Sequence, residues 1–335
     1  MKILVTGGAG FMGSCFIRYM LQTYPDIEIL NFDKMTYAGN PENLSDVADN
    51  RHYMFQKGDI ADENAVRKAI EEFKPDAIVN YAAETHVDRS ILEPGAFIRT
   101  DILGTYNLLE AVRKYRITRY VQVSTDEVFG SVVEGESTEE SAFDPSSPYS
   151  ASKAGADHLV RAYYRTYETP TIVTHACNNY GQNQYPEKLI PLFITNLMEG
   201  KKVPVYGSGS NIREWIYVLD HARAIDLILR QGEEGAVYNI GTGERLSNME
   251  ITQKLLSRLG KDESSIEYIT DRPGHDLRYA LNSEKLRNLG WQPEHTFDQG
   301  LVQTVAWYKD HQEWWKKIKS GEYMEYYQKQ YEERK

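Results

Sequence analysis

The chain has 335 residues, a length that suits two domains or one large α/β unit better than one small core. Hydrophobic residues make up 41% and charged residues 26%, as in ordinary globular proteins. The net charge of −11 argues against a general role at nucleic acids or membrane surfaces, because phosphate backbones and anionic lipids attract basic patches.

The start of the chain, MKILVTGGAG, has a short apolar run that breaks at glycines, which predicts a strand and not a signal peptide. No run of about 18 apolar residues occurs, so no membrane span is expected. The two cysteines, Cys15 and Cys177, form no disulfide framework and fit a reducing cytosol. No Cys/His group has metal-ligand spacing. We therefore expect a cytoplasmic protein without a metal site.

The first half of the chain alternates short apolar runs with helical patterns. Strands are predicted at residues 2–6, 28–32, 53–56, 77–83 and 120–124, with 171–177 as the last major strand. Helices are predicted at about 11–23, 63–73, 96–115 and 149–167. Strands that alternate with helices predict an α/β fold, a doubly wound parallel sheet covered on both faces.

The second half of the chain is less regular. Residues 131–147 are acidic, Ser-rich and loop-like, and later stretches are rich in polar and aromatic residues, as expected of a lobe that covers a ligand. We expect a first domain at 1–178 and a second at 179–335, with parts near 214–242 returning to the first. The aromatic, charged stretch 314–335 predicts a helix that packs through its aromatic face.

The segment TGGAGFMG at residues 6–13 follows the first strand directly and opens the first helix. Its glycines Gly7, Gly10 and Gly13 allow a tight turn, close approach of the backbone to a pyrophosphate, and helix–strand packing. The free N–H groups of the helix N-terminus suit phosphates. This placement between strand and helix predicts a dinucleotide site.

Asp33 ends the second strand, 20 residues after Gly13, where a carboxylate binds the adenosine ribose hydroxyls and repels a 2′-phosphate. This favours NAD over NADP, although the neighbouring Lys34 weakens the argument. A strand-end Asp that only caps a turn is the alternative. Asp59 after the third strand is a candidate for the adenine end, and the small residues in NYAAE (80–84) let a dinucleotide pass close to the backbone.

Tyr149 and Lys153 lie four residues apart at the start of a helix, so their side chains share a face. We expect the lysine ammonium to favour the phenolate and to lower the pKa of Tyr149 from about 10, which would make it a base near neutral pH. An ordinary Tyr/Lys pair on a helix is the alternative.

Asp126 and Glu127 are adjacent acids at the end of a buried strand, directly after Ser124 and Thr125. Surface acids usually lie in turns or on helix faces, so this position suggests a role in the site. Two carboxylates in different local environments can hold opposite protonation states, as an acid and a base must. Two solvated loop acids are the alternative.

The glycine segment together with STDEVFG and YSASK resembles the extended short-chain dehydrogenase/reductase superfamily. A narrower resemblance, in order and spacing over nearly the whole chain, is to the dTDP-glucose 4,6-dehydratase family; it rests on DKMTYAGN, AAETHVDRSI, STDEV, NNYGQNQYPEKLIP, PVYGSGSNIREWIYVLDHARA and DRPGHDLRYA. The resemblance implies a Rossmann domain with a smaller mixed lobe that binds a nucleotide sugar. It also implies tightly bound, recycled NAD, a dTDP-sugar substrate that leads to deoxysugars such as dTDP-rhamnose, and a homodimer through the helices near 96–115 and 149–167.

The resemblance also implies residue roles in oxidation at C-4, loss of water across C-5 and C-6, and hydride return to C-6. Tyr149 would be the oxidation base, tuned by Lys153, which would also hold the nicotinamide ribose. Glu127 would remove the C-5 proton, Asp126 would donate to the leaving hydroxyl, and Thr125 would bond the sugar 4-oxygen. A 4-epimerase needs no elimination and hence no such acid pair.

Binding residues carry over in the same way. The dinucleotide would contact Gly7, Gly10, Phe11, Met12, Gly13, Asp33, Lys34, Thr36, Asp59, Ile60, Tyr81, Ala82, Ala83, Thr100, Tyr149, Lys153 and Asn179. The nucleotide sugar would contact Thr85, Thr125, Asn178, Glu187, Lys188, Leu189, Pro204, Tyr206, Arg213, Asn248 and His275. His86 and Arg89 would touch the cofactor or brace the site.

The chain departs from the family pattern at a few positions. Phe129 stands where relatives have Tyr, Met12 where they have Ile, and Asp101 where Asn is common. The Asp101 charge beside the cofactor site is expected to alter packing or affinity. Three alternatives to a dTDP-glucose enzyme remain: a UDP-sugar 4,6-dehydratase, an epimerase or decarboxylase of nucleotide sugars, and a dinucleotide sensor without activity. Intact Tyr149, Lys153, Asp126 and Glu127 argue against a sensor.

Overall fold

A computed structural model describes residues 1–271 and 274–320. Its strands are β1 (Lys2–Thr6), β2 (Glu28–Asp33), β3 (Tyr53–Lys57), β4 (Ala77–Asn80), β5 (Arg119–Thr125), β6 (Thr171–Ala176), β7 (Asn178–Tyr180), β8 (Val203–Tyr206), β9 (Ile212–Tyr217), β10 (Val237–Ile240), β11 (Arg245–Ser247) and β12 (Ile266–Ile269).

The α-helices are α1 (Phe11–Thr23), α2 (Glu63–Phe73), α3 (Val87–Leu92), α4 (Pro94–Phe97), α5 (Thr105–Tyr115), α6 (Pro148–Tyr167), α7 (Leu189–Met198), α8 (Val218–Gln231), α9 (Asn248–Leu259), α10 (Glu284–Asn288), α11 (Phe297–Asp310) and α12 (Gln312–Ile318). Short 3₁₀ turns lie at Pro41–Leu44, Asp126–Phe129 and Glu263–Ser265, and a π-helical segment at Ile98–Gly104.

In the part of the chain that the structure describes, seven parallel strands form the central sheet in the order β10-β6-β5-β4-β1-β2-β3. Successive residues of a strand face opposite sides, so Ile3 and Val5 pack with α1 and α8 while Leu4 packs with α2 and α5. Both faces are buried, which confirms the predicted doubly wound α/β fold. The strand order reverses between β1 and β4, and parallel sheets bind ligands at that edge.

A smaller mixed lobe follows. A three-stranded sheet β11-β9-β7 and a two-stranded sheet β12-β8 share a separate core with α7, α9, α11 and α12. The smaller mixed lobe was predicted and is confirmed. β7 follows β6 after one residue, so the chain passes from the large sheet into the lobe beside the strand ends.

The structure corrects two predicted elements and describes part of a third. The run 171–177 is not the last strand of the sheet, because β10 pairs with β6 beyond it; four residues are too few to show a strand period. The helix predicted at 96–115 is divided into α4, the π-helical segment and α5. α12 buries Trp314 and Trp315, but residues 321–335 of the predicted C-terminal helix lie outside the described residues.

Candidate active site

A large cavity opens at the carboxyl ends of the central strands, beneath the turn that joins β1 to α1. Gly7 has φ +67°, and a Cβ there would lie 2.6 Å from the Ala82 nitrogen. A Cβ at Gly13 would lie 2.5 Å from the Gly7 carbonyl oxygen. The turn therefore accepts only glycine at these positions, and it leaves the backbone N–H groups at the start of α1 beside the cavity. The cradle fits a dinucleotide pyrophosphate.

The cavity gathers all residues predicted for the dinucleotide. Its lining includes Gly7, Gly10, Phe11, Met12, Gly13, Asp33, Lys34, Thr36, Asp59, Ile60, Tyr81, Ala82, Ala83, Thr100, Tyr149, Lys153 and Asn179. Thr85, predicted for the substrate, lies on the same wall. Their contacts with a dinucleotide stay a prediction, but the chain segments that carry them meet at one edge of the sheet.

Asp33 both caps a turn and lines the cavity. Its Oδ2 accepts a hydrogen bond of 2.9 Å from the Ala9 N–H, and its Oδ1 one of 2.7 Å from the Met35 N–H. These bonds fix the carboxylate at the end of β2, where the ribose was expected. Lys34 forms an ion pair of 2.9 Å with Asp59, so its ammonium is compensated and does not by itself recruit a 2′-phosphate.

Tyr149 and Lys153 lie in the first turns of α6, which Ser147 caps. The Lys153 ammonium donates to the Val123 carbonyl at 2.8 Å. The pKa of Tyr149 is raised well above its usual value, first by burial and then by the carboxylates Glu127 and Asp101. The prediction that Lys153 lowers the pKa of Tyr149 is therefore wrong for the protein alone. The Lys153 ammonium donates to a carbonyl of β5, and the side chains of Glu127 and Asp101 lie near the phenol.

Thr125 ends β5 and directs the two acids. Its Oγ1 accepts a hydrogen bond of 3.2 Å from the Glu127 N–H, which caps the 3₁₀ turn Asp126–Phe129. Asp126 is buried, and its Oδ2 has no hydrogen-bond partner among the described residues. Burial raises the pKa of Asp126 well above its usual value, and the Glu127 and Glu214 carboxylates raise it further. Asp126 can therefore stay protonated and serve as the proton donor to a leaving group.

A second cavity adjoins the first and shares Glu127, Asn178, Glu187 and Lys188 with it. Thr125, also predicted for the substrate, lines the first cavity, and the remaining predicted substrate residues line the second: Leu189, Pro204, Tyr206, Arg213, Asn248 and His275. The buried Arg213 guanidinium donates to the carbonyls of Ile212 and Asp276 and stacks on the Tyr279 ring at 4.1 Å. Glu127 therefore lies where the two cavities join, between the acidic Asp126 of the first cavity and the cationic Arg213 of the second.

Two further predicted residues have separate places. Arg89 lies over the Tyr37 ring at 3.9 Å and donates to the buried Glu187 carboxylate at 3.2 Å, so it braces the shared wall. His86 is buried and lines the second cavity.

Several residues of the second cavity were not predicted from the sequence. Trp215 follows Arg213 by two residues on β9, and Thr252 follows Asn248 by four on α9, so strand and helix periods could have found both. Asp88 and Phe193 carried no such signal.

Two departures from the family pattern lie close to the site. Asp101, in the π-helical segment, is buried; it accepts hydrogen bonds from the Glu84 N–H at 3.0 Å and from the Ser152 hydroxyl at 2.6 Å. Phe129 packs at near right angles to the rings of Phe143 and His175. The Asp101 carboxylate is therefore compensated by two hydrogen-bond donors. The phenyl ring of Phe129 fits its place among aromatic rings.

Residues 1–271 and 274–320 contain neither a membrane-spanning helix nor a metal-binding cluster. No helix among them is both long and apolar enough to cross a membrane. No group of three or more His, Cys, Asp or Glu side chains in this part of the chain is arranged to hold a metal ion.

Comparisons with known proteins agree with this geometry. The family model described as GDP-mannose 4,6 dehydratase matches residues 4–304. The dTDP-glucose 4,6-dehydratase 1 of Escherichia coli K12 is 47% identical over 361 residues, covering 100% of both chains.

Solved structures show the same likeness. A dTDP-glucose 4,6-dehydratase from Bacillus anthracis, in complex with NAD, is 50% identical with a TM-score of 0.89, covering 95% of this chain and 99% of that one. A dTDP-glucose 4,6-dehydratase from Streptomyces venezuelae, with NAD and TYD bound, is 48% identical with a TM-score of 0.92, covering 95% and 100%.

Proposed function

The chain belongs to the dTDP-glucose 4,6-dehydratase family of the extended short-chain dehydrogenases/reductases, and we infer that it converts dTDP-glucose into dTDP-4-keto-6-deoxyglucose. The observation that carries this conclusion is the acid pair Asp126–Glu127. It lies where the dinucleotide cavity meets the second cavity, and its buried member has a strongly raised pKa. Oxidation alone would need neither carboxylate.

NAD, when bound in the glycine-lined cavity, supplies a hydride acceptor for C-4 and a hydride donor for C-6, and its oxidised ring adds a positive charge. Tyr149 takes the proton of the 4-hydroxyl, and Thr125 bonds the 4-oxygen. A positive charge near the buried Tyr149 phenol, such as that of the oxidised nicotinamide ring, would stabilise the phenolate. It would thus offset the effect of the carboxylates that raise the pKa of Tyr149. Lys153 holds α6 against β5 through the Val123 carbonyl.

The elimination step divides between the two acids. The 4-keto group acidifies the C-5 proton, and Glu127 removes it as a carboxylate. Asp126, kept protonated by burial and by neighbouring carboxylates, gives its proton to the departing 6-hydroxyl, which leaves as water. In this step Glu127 gains a proton and Asp126 loses one; Glu127 then gives its proton back to C-5 as C-6 receives the hydride.

The nucleotide end of the substrate lies in the second cavity. Lys188 and Arg213 supply positive charge to the diphosphate, and Arg213 is held rigid by two backbone carbonyls and the Tyr279 ring. Asn178, Asn248 and His275 add polar groups on the same wall. This local cationic lining supports an anionic ligand in a chain whose net charge is −11.

The assembly is a homodimer in the cytoplasm. Large apolar side chains on α4 to α6 support the dimer, since Ile98, Leu103, Tyr106 and Tyr167 are 52%, 43%, 43% and 50% exposed. Two free, buried cysteines support a reducing compartment. Sedimentation of the protein and of Leu103→Glu tests the interface: the variant should sediment as a monomer, and an unchanged dimer would place the interface elsewhere.

The experiment that tests the function uses dTDP-glucose deuterated at C-4, given to the purified protein without added cofactor. Loss of water with deuterium recovered at C-6 is the expected result, followed by mass spectrometry and NMR. Recovery of substrate, or formation of the galactose epimer, would remove the acid pair from the reaction. UDP-glucose is the comparison substrate. It lacks the thymine methyl group, which is worth only about 1–3 kcal/mol in a pocket, and it carries a ribose 2′-hydroxyl that dTDP-glucose does not have, so it should react more slowly.

A further inference from the structure

A row of three polar side chains crosses the central sheet directly behind the acid pair. Ser124 on β5 is paired with His175 on β6, and His175 with Asn239 on β10. All three side chains are buried, with His175 only 1% exposed. Ser124 directly precedes Thr125, so a shift of this row would also displace the catalytic turn, the 3₁₀ turn Asp126–Phe129 that Thr125 caps. The reaction described above leaves all three without a role.

Asp157 connects this row to the helix of the catalytic tyrosine. Tyr149, Lys153 and Asp157 are spaced by four residues on α6 and so form one stripe. Lys153 donates to the Val123 carbonyl, and the Ser124 hydroxyl donates to Asp157 Oδ2 at 2.6 Å. α6 is therefore tied to two successive residues at the end of β5.

The hydrogen bonds of Asn239 fix the proton on one nitrogen of His175. The Asn239 Nδ2 donates to the carbonyls of Ser137 and Asn282 at 3.0 and 3.1 Å, so Oδ1 is its acceptor end. His175 Nδ1 lies 3.3 Å from that oxygen and must donate to it. Nδ1 therefore carries a proton.

The other ring nitrogen, Nε2, lies 3.2 Å from Asp157 Oδ2. The same oxygen accepts the 2.6 Å bond from the Ser124 hydroxyl, so Asp157 joins β5 and β6 to α6. The rings of Phe129 and Phe143 flank the imidazole at 4.9 and 5.5 Å and lie nearly perpendicular to it, so the imidazole is packed on these sides.

We propose that the hydrogen-bonded pair of His175 and Asp157 is a positioning device for the catalytic turn. The pair holds Ser124, and through it Thr125 and the two acids, at a fixed distance from Tyr149 on α6. Asn239 extends the device to the loop before α6, since its N–H donates to Glu139 Oε1 at 3.0 Å. The inference rests on the proposed function for its kinetic test, but not for its spectroscopic test.

The spectroscopic test needs no substrate. Protein labelled with ¹⁵N-histidine is transferred to ²H₂O, and the signals of the imidazole N–H protons are followed over time. We expect the Nδ1 proton of His175 to exchange slowly, because it is buried and donates to Asn239 Oδ1, and its signal should be absent in His175→Gln. Rapid exchange of this proton would overturn the fixed imidazole on which the pair depends.

The kinetic test separates positioning from mere stability. In His175→Gln we expect kcat to fall on the order of tenfold to a hundredfold with little change in KM, because the reacting groups move while the nucleotide cavity does not. A lower melting temperature with unchanged kcat would reduce the pair to a structural element and overturn the positioning role. His158→Gln is the matched control, since His158 is exposed, is next to Asp157 and contacts the same Phe143 ring; it should keep full activity.

Ser124 supplies a second test that keeps the pair of His175 and Asp157 intact. Ser124→Ala should keep the slowly exchanging Nδ1 proton and still lower kcat several-fold, and Ser124→Thr should restore kcat by restoring the hydroxyl. Full activity in Ser124→Ala would show that the pair does not act through β5. If the wild-type protein failed to convert dTDP-glucose, the proposed function would fail while the ¹⁵N result would still stand.

Discussion

The two cavities meet at Glu127 but are built in different ways. The dinucleotide cavity uses backbone and short segments at the ends of neighbouring parallel strands, each placed by the sheet itself. The second cavity uses side chains from segments between residues 86 and 275, brought together by the smaller lobe. A substitution in the first should act through backbone shape, and one in the second through a lost charge or donor.

The largest effect is expected at the junction. In Glu127→Gln the amide cannot accept the C-5 proton, so kcat should fall on the order of 10³-fold. The oxidation step should survive, because removal of the Glu127 charge lowers the pKa of Tyr149. Reduced nicotinamide should therefore accumulate on addition of substrate while no product forms, as followed by absorbance and mass spectrometry.

The control for this variant is Glu134→Gln, an exposed acid of the following loop, which should retain wild-type turnover. Full activity in Glu127→Gln would remove this carboxylate from the mechanism and leave the junction of the cavities without its base.

The next largest effect belongs to the dinucleotide cavity alone. A Cβ in Gly13→Ala would meet the backbone of Gly7 and Gly8 at 2.5 and 2.8 Å, so the turn must shift. Overpacking of about 1–3 kcal/mol corresponds to a loss of NAD affinity of about tenfold to a hundredfold. Calorimetry should show this loss, while dTDP binding to the second cavity stays unchanged.

Gly95→Ala is the matched control, because a Cβ at Gly95 meets nothing within 4 Å among the described residues. Loss of dTDP binding in Gly13→Ala would mean that the dinucleotide cavity and the second cavity are not independent of each other.

The same difference explains what the sequence could predict. The glycine segment, Asp33 and the helices at 11–23 and 63–73 follow from local rules, and the structure has α1 and α2 at those residues. The second cavity came from family resemblance, because no local rule joins Arg213 to His275. β10 lies in the region near 214–242 that was expected to return to the first domain, but no strand was predicted there, since four residues show no period.

The wrong pKa direction at Tyr149 has a similar cause. Helical spacing places Lys153 on the same face, but it does not show that its ammonium bonds Val123, nor that Asp101 and Glu127 fold beside the phenol. Proximity along one helix is local, whereas the charges that decide a pKa come from distant segments.

A moderate effect is expected in the second cavity. Arg213→Lys keeps the charge but loses the planar fork that two carbonyls and the Tyr279 ring hold in place. The KM for dTDP-glucose should rise about tenfold, as for a lost charge-assisted hydrogen bond, while NAD affinity is unchanged. Steady-state kinetics and NAD calorimetry measure the two quantities, with Arg258→Lys on the surface as the control. An equal loss of NAD affinity would contradict the separation.

The smallest effect is expected at Asp101, which acts on the first cavity through charge rather than shape. Burial raises the pKa of Asp101 to about 6, and its carboxylate in turn raises the pKa of Tyr149. An asparagine fits the same place: Oδ1 can accept from the Glu84 N–H, and Nδ2 can donate to the Ser152 hydroxyl. Asp101→Asn therefore removes a charge and leaves the local packing.

The sign of both pH effects follows from these shifts. Above about pH 6 the wild-type carboxylate is charged, so its removal should move the acid limb of the kcat profile to lower pH by less than about one unit. A raised carboxyl pKa favours the folded state most below the unfolded pKa, and this advantage is lost as pH rises toward 6 and beyond. The variant should thus gain stability over the wild type between about pH 4 and 6 and keep that gain at pH 8. Melting curves and kcat from pH 5 to 10 measure both, with the exposed Asp310→Asn as control. An acid limb that moves to higher pH would mean that Asp101 assists the phenolate, and that shape rather than charge governs this edge of the cavity.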